Sequence, residues 1–427
     1  MSRLFARPFL LRSVSLLGAL LLTACGGGGG GSGSTTAVAN PAASTAGPVL
    51  NGQFVDAPVA NLHWSAAPSG LSGDTDSNGG FHFTAGDTVS FSFDGQALGS
   101  AAPAANPSGS IVVTPFSLTG EADPANAPKA TALVLLLNSL DSISVAQGQG
   151  HNGGLVLPLA GFSGYSTENT QLAAQLASLG SLTGVTSSAL TSLLGTIYGS
   201  TSYFSSIAVQ NETVAQALVL QTQAVAPLVG TIWRGSVVTG SSSTPWTLYF
   251  AADYAPNGLF YSFTGGGTAL HGAWSLQSNG SIQISTYGPG TANSSAILLP
   301  TDTSLAGTGV DASGNAITFT ASKVTASAAI VNSYTGLWFA TLTPAAGGAT
   351  APVTAKVLVD ATGALSAYLS DGSVLNGSVA LATGKATASS SAASTLAFNL
   401  DFAAGTGTAT NAGVLQSSLA LSRNGIL

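Results

Sequence analysis

The chain has 427 residues, and only 6% of them are charged, with Lys+Arg 9 and Asp+Glu 16 giving a net charge of −7. A sparse acidic charge set without a basic stripe excludes nucleic-acid binding through phosphates and electrostatic adhesion to anionic lipid. The single cysteine excludes an internal disulfide, so core packing alone must hold the folded body, and the length suits about two to four domains.

The chain opens with Arg3, Arg7 and Arg12 and then an apolar run from Ser13 to Leu22. At about ten residues this run is too short to span a bilayer as a helix, which takes ~20. A positive end, a short apolar segment and small residues before a cut define a secretory signal peptide, here residues 1–24. Leu22-Thr23-Ala24-Cys25 resembles the lipobox of bacterial lipoproteins. The resemblance implies a diacylglyceryl group on the Cys25 thiol, cleavage before it and acylation (palmitate) of the new amino terminus. Gly26 stands where an aspartate marks inner-membrane retention in many such proteins, which implies the outer membrane of a bacterial cell envelope. Several acyl chains anchor stably where one does not. Residues 25–47 read as a flexible Gly/Ser tether, and roughly twenty such residues carry the next domain ~25 Å from the membrane.

From residue 48 to 120 the pattern is short strands and glycine turns. Phe81-His82-Phe83 and Val89-Ser90-Phe91-Ser92-Phe93 alternate with period two, and Ser110 to Phe116 is a further apolar run. This predicts an antiparallel β-sandwich. If the two phenylalanines point inward, His82 lies on the outer face.

Residues 121–228 change to helical periodicity and predict a small helical subdomain. Lys129 to Ile143 is apolar on every face, which fits a buried helix. Thr167 to Leu179, Ser187 to Tyr198 and Asn211 to Val225 each carry an apolar stripe, closed by Gly180, Gly199 and Pro227.

Residues 229–427 are β-rich and duplicated. Gly230-Thr231-Ile232-Trp233 opens one half and Gly336-Leu337-Trp338 the other. Ala306-Gly307-Thr308-Gly309 is echoed by Ala404-Gly405-Thr406-Gly407, and Gly272-Ala273-Trp274 by Gly377-Ser378-Val379. The spacing predicts tandem antiparallel β-barrels or sandwiches, over 229–330 and 331–427; one larger closed barrel is the alternative. The fold class is therefore mostly β with a helical insert.

The stretch from Gly52 to about Pro158 resembles a module of proteobacterial surface lipoproteins. The likeness rests on Gly52-Gln53-Phe54-Val55-Asp56-Ala57-Pro58, Thr75-Asp76-Ser77-Asn78-Gly79-Gly80-Phe81 and Leu136-Leu137-Asn138-Ser139-Leu140-Asp141. Its β part is similar to transthyretin-like domains that accompany carboxypeptidases and adhesins. Such modules are accessory, so the resemblance implies no active site. The two Gly-x-Trp openings are faintly similar to the start of lipocalin-type barrels.

Few residues offer chemistry. Asp74, Asp76 and Asn78 occupy the first ligand positions of an EF-hand-like calcium loop, but Ala85 stands where the bidentate glutamate belongs. A polar hairpin turn is the expected reading. Gly148-Gln149-Gly150-His151-Asn152-Gly153 matches a dinucleotide fingerprint only as a string, since it follows a helix and precedes Leu155-Val156-Leu157. His63, His82, His151 and His271 are scattered without zinc spacing, and no Gly-x-Ser-x-Gly elbow occurs. No cofactor is implied.

Among the aromatics, Trp233 and Trp338 are expected as core plugs, whereas Trp246 and Tyr254, beside Pro245 and Pro256, are the candidates for an exposed binding pair. The expected function is a non-catalytic binding or adhesion module for a surface protein or glycan, attached to the membrane by its lipid. A carrier whose barrel encloses a small apolar ligand is the alternative, and a hydrolase with a dispersed site is third.

Overall fold

The computed structural model describes residues 49–105, 111–148, 154–158, 167–178, 185–251, 257–264, 269–286, 294–325, 334–345, 353–370, 373–380, 382–390 and 395–422. Cys25 and the tether lie outside them.

The N-terminal body begins with β1 (Val49–Phe54), β2 (Val59–Ala60), β3 (His63–Ala67), β4 (Ser72–Asp74), β5 (Gly80–Thr84), β6 (Thr88–Phe93), β7 (Gln96–Ala101) and β8 (Val112–Val113). One sheet has the order β5-β1-β8 and another β4-β3-β6-β7. Their inner faces meet through aromatic rings: Phe91 of the second sheet lies 5.2 Å from both Phe54 and Phe81 of the first. Alternation delivers this packing, since Phe81 and Phe83 are buried and His82 between them is exposed, bonded to Asn51.

The helices α1 (Pro115–Thr119) and α2 (Pro128–Ala146), the strand β9 (Leu155–Val156), and the helices α3 (Thr167–Ser178), α4 (Ser187–Tyr198) and α5 (Glu212–Val225) follow. Thr186 and Asn211 cap α4 and α5 through their side chains, and Pro227 lies just beyond the end of α5. By length and composition α2 would suit a bilayer, but twelve of its residues are buried at the centre of the body. One cluster runs from Leu50 in β1 through Leu133–Leu137 in α2 to Val219 in α5, so sheets and helices share a single core. Two parallel pairs, β1–β8 and β2–β9, tie the layers together.

Two closed eight-stranded barrels complete the chain, in place of the single larger one. The first consists of β10 (Ile232–Thr239), β11 (Ser242–Phe250), β12 (Asn257–Thr264), β13 (Ala269–Leu276), β14 (Ile282–Thr286), β15 (Ser295–Pro300), β16 (Ser304–Val310) and β17 (Ala316–Lys323). The second consists of β18 (Gly336–Pro344), β19 (Val353–Val359), β20 (Ala364–Leu369), β21 (Val374–Ala380), β22 (Lys385–Ser390), β23 (Leu396–Asp401), β24 (Thr406–Asn411) and β25 (Val414–Ser422). All neighbours are antiparallel and consecutive, and β10–β17 and β18–β25 close the rings.

The sequence echoes fall at matching places. Trp233 and Trp338 stand on the first strands; Gly272 and Gly377 stand on the fourth. A Cβ on Gly272 would lie 2.0 Å from the Ser285 carbonyl oxygen, and one on Gly377 would lie 1.8 Å from that of Thr387. Only glycine allows so close an approach of neighbouring strands.

The stagger differs between the barrels. Followed from partner to partner, Gly336 leads through Val359, Leu365, Gly377, Ala388, Phe398, Ala409 and Ser417 to Pro344, about eight residues along. In the first barrel the circuit advances by about ten. At equal strand number a greater stagger tilts the strands further and widens the barrel.

Candidate functional site

A carrier would hold its ligand in a barrel interior. Trp233, Trp246, Leu248, Phe250, Phe260, Trp274, Ile284 and Phe319 fill the first barrel as one cluster. Trp246, expected at the surface, is only 3% exposed. Pro245 does not place it in a turn; β11 continues through both residues, and alternation turns Trp246 inward with Leu248 and Phe250. Each barrel indole N–H finds an acceptor: Trp233 donates to Thr231 Oγ1 (2.8 Å), Trp246 to Ser262 Oγ (2.6 Å), Trp274 to the Ala251 carbonyl (3.2 Å) and Trp338 to the Tyr334 carbonyl (2.9 Å). Lys323 caps one end of the first barrel, its ammonium 4.9 Å from the centre of the Trp233 ring. Burial pulls its pKa down, against Asp302, which acts the other way. In the second barrel Val357, Val359, Ala367, Leu375 and Phe398 expose no surface. The walls of a cavity large enough for a ligand would.

The calcium candidates form a turn. Asp76 Oδ1 accepts from the backbone N–H of Asn78 and of Gly80, both at 2.8 Å, and Gly79 follows with φ 70°. Asp74 Oδ1 lies 2.9 Å from His63 Nδ1 on the neighbouring strand. Two further turns repeat the arrangement, with Asp311 accepting from Ser313 and Asn315, and Asp360 from Thr362 and Ala364. Each has glycine three residues on, at positive φ. The turns at Asp311 and Asp360 close hairpins, but the one at Asp76 joins β4 to β5 in a different sheet, which corrects the hairpin expectation. No group of three His, Cys, Asp or Glu suited to a metal occurs among the described residues. Tyr254, His151 and most of the glycine-rich string at 148–153 lie outside those residues.

The barrels dock on each other through outward side chains. Ile232, Ala251 and Tyr261 of the first pack with Leu337, Leu358 and Tyr368 of the second. Tyr261 meets Phe339 at 6.0 Å, and the Lys356 ammonium lies 6.0 Å from the Tyr261 ring. Arg234 Nη2 approaches the buried Asp360 Oδ2 to 2.9 Å, as a charge contact without hydrogen-bond alignment. His271 borders this seam; burial, and then Lys356, lower its pKa and favour the neutral ring.

Two outward apolar sets on the barrels are uncovered among the described residues: Val414 and Leu415 at the start of β25, 63% and 52% exposed, and a larger one on β15 and β16. Ile297 and Leu299 on β15 are 53% and 59% exposed, and Val310 at the end of β16 is exposed beside them. Thr308 and Ala306 pair with Ile297 and Leu299, so a weakly polar strand extends the patch. The corresponding sixth strand of the second barrel, β23, turns Ala397, Asn399 and Asp401 outward instead. The fold therefore does not require aliphatic residues there. The sequence signal for this patch is a lapse in alternation, Ala296-Ile297-Leu298-Leu299. The similar run Val357-Leu358-Val359 marks an outward residue too, Leu358, which the other barrel covers.

The geometry defines a class: a mixed sheet-and-helix body bearing two filled, mutually docked antiparallel barrels. No model of a known protein family matches the sequence, and no curated protein does.

Proposed function

We propose that the protein is a non-catalytic surface lipoprotein, anchored in the outer membrane through Cys25, that binds a surface protein or glycan. The observation that carries the binding part is the exposed aliphatic patch Ile297–Leu299–Val310, set on a strand whose counterpart in the other barrel is polar. Outward apolar residues at the seam between the barrels are interface residues, and contiguous exposed apolar surface marks contact sites. The filled interiors favour this reading over a carrier. His63, His82 and His271 each have a local structural setting, on separate strands, which favours binding over hydrolysis.

The test uses the full chain displayed on cells. Cys25→Ala should release it from the membrane fraction or leave unprocessed precursor; unchanged detergent partitioning would remove the anchor from the reading. Ile297→Asn with Leu299→Asn should abolish adhesion to host-cell surfaces and immobilised glycans while shifting stability by no more than ~0.5 kcal/mol. Full adhesion by that variant would refute the patch.

A further inference from the structure

Asp56 follows β1 in the turn to β2 and is 3% exposed. Its neighbours come from two helices. The Asn138 amide of α2 donates to Oδ2 at 3.4 Å, and the Thr222 hydroxyl of α5 stands beside the carboxyl, close enough to affect its acidity but not aligned into a hydrogen bond. Asp56 Oδ1 and Thr222 Oγ1 are buried without a partner among the described residues. Gln210 Oε1 is a third such atom, and its amide nitrogen donates to Asn138 at 3.2 Å. No charged group among those residues weighs on the carboxyl; Asp141, also on α2, is engaged with the Val156 N–H at 2.8 Å.

A buried carboxylate so poorly solvated is costly, whereas a protonated one is neutral and gains a donor for a neighbouring oxygen. Its position gives that proton leverage. Val55, the residue before it, and Val225, Leu228 and Val229, at and after the end of α5, pack into the cluster of the first barrel with Trp233. The carboxyl thus sits directly behind the seat of that barrel.

We propose that Asp56 is a proton-operated latch: protonated, it locks the turn after β1 to α2 and α5 and seats the first barrel on the N-terminal body, and ionised, it loosens that seat. Burial raises its pKa from 3.8 to about 7, against smaller opposing effects of Thr222 and Asn138. For an acid with a raised folded-state pKa, the stabilisation is complete below the unfolded value and is lost as pH rises through the folded one. The latch is closed in mildly acidic surroundings and opens as they turn alkaline.

Carboxyl-carbon NMR titration of the full chain reads the proton directly, and amide hydrogen exchange reads the latch. One aspartate should titrate near neutrality and be absent from Asp56→Asn. In the wild type, corrected exchange across Phe54–Ala57 and Leu218–Leu228 should rise roughly tenfold from pH 5 to pH 8, with β19 and β20 unchanged, and Asp56→Asn should show no rise. If that variant fails to fold, Thr222→Val serves instead, and its titration midpoint should move upward. The latch is overturned if every aspartate titrates in the ordinary range, if the seat exchanges independently of pH, or if the second barrel loosens in step.

Discussion

The two barrels share strand number, neighbour order and opening tryptophan, yet at matched inward positions they carry different volumes. Trp246, Phe250, Phe260, Trp274 and Ile284 in the first correspond to Ala355, Val359, Leu365, Val379 and Ala386 in the second. On the sixth strands the order reverses, with Ala296 matched by Leu400, but the net loss of side chain would leave a barrel hollow at constant radius. The second barrel is not, because its smaller stagger draws the strands closer to the axis. Stagger and side-chain volume changed together, so both interiors remain close-packed. The duplicated element is therefore a strand order that can be filled at two widths.

Emptying each barrel in turn should have the largest effect. Trp233→Ala should destabilise the first barrel by ~3–5 kcal/mol and leave Lys323 without its ring. Trp338→Ala should cost somewhat less, because Trp338 lies nearer the surface at 8% exposure. Calorimetry of the full chain should show the affected barrel melting earlier; unchanged melting with lost adhesion would make the tryptophan a contact residue.

Overfilling tests the stagger itself. Ala355→Trp places in the narrow barrel the residue that the wide one carries at Trp246, and it should cost ~1–3 kcal/mol or more. A neutral outcome would mean that the second barrel has room and is not narrowed by its smaller stagger.

The seam between the barrels should be the next most sensitive place. Arg234→Ala leaves the buried Asp360 carboxylate without its cation, for a loss of about 1–3 kcal/mol, since Arg234 itself is partly exposed. Arg234→Lys should recover part of that loss. Equal stability of all three proteins would show that the barrels dock by apolar contact alone.

Smaller effects belong to the turns. The Asn315 side chain and backbone N–H, and then the backbone N–H groups of Ser313 and Gly314, hold the Asp311 carboxyl below its ordinary pKa, against slight burial. Its contribution is present above the unfolded value near 3.8 and is lost as pH falls through the lowered one. Asp311→Ala should remove that small acid-side dependence. Millimolar calcium should leave the melting temperature unchanged, because the Asp76 carboxylate is committed to backbone amides; a rise of several degrees that Asp76→Ala abolishes would restore the calcium site.

The elements and their duplication are encoded locally in the sequence. Period-two runs, capped helices and the echoes around Trp233/Trp338 and Gly272/Gly377 report local demands: side-chain direction in a strand, amide capping, and close approach of two backbones. Inward and outward faces followed wherever alternation was clean, as at Phe81-His82-Phe83. At Trp246 the neighbouring proline suggests a turn, and only the pairing of Gly235 with Trp246 shows the strand running through it. Tertiary structure alone decided the two barrel widths, the coverage of Leu358 but not of Ile297, and the burial of Asp56 between α2 and α5. Each of these depends on what residues far apart in the chain bring together. Stagger, docking and desolvation are properties of pairs and groups of elements, and no single stretch of sequence encodes them.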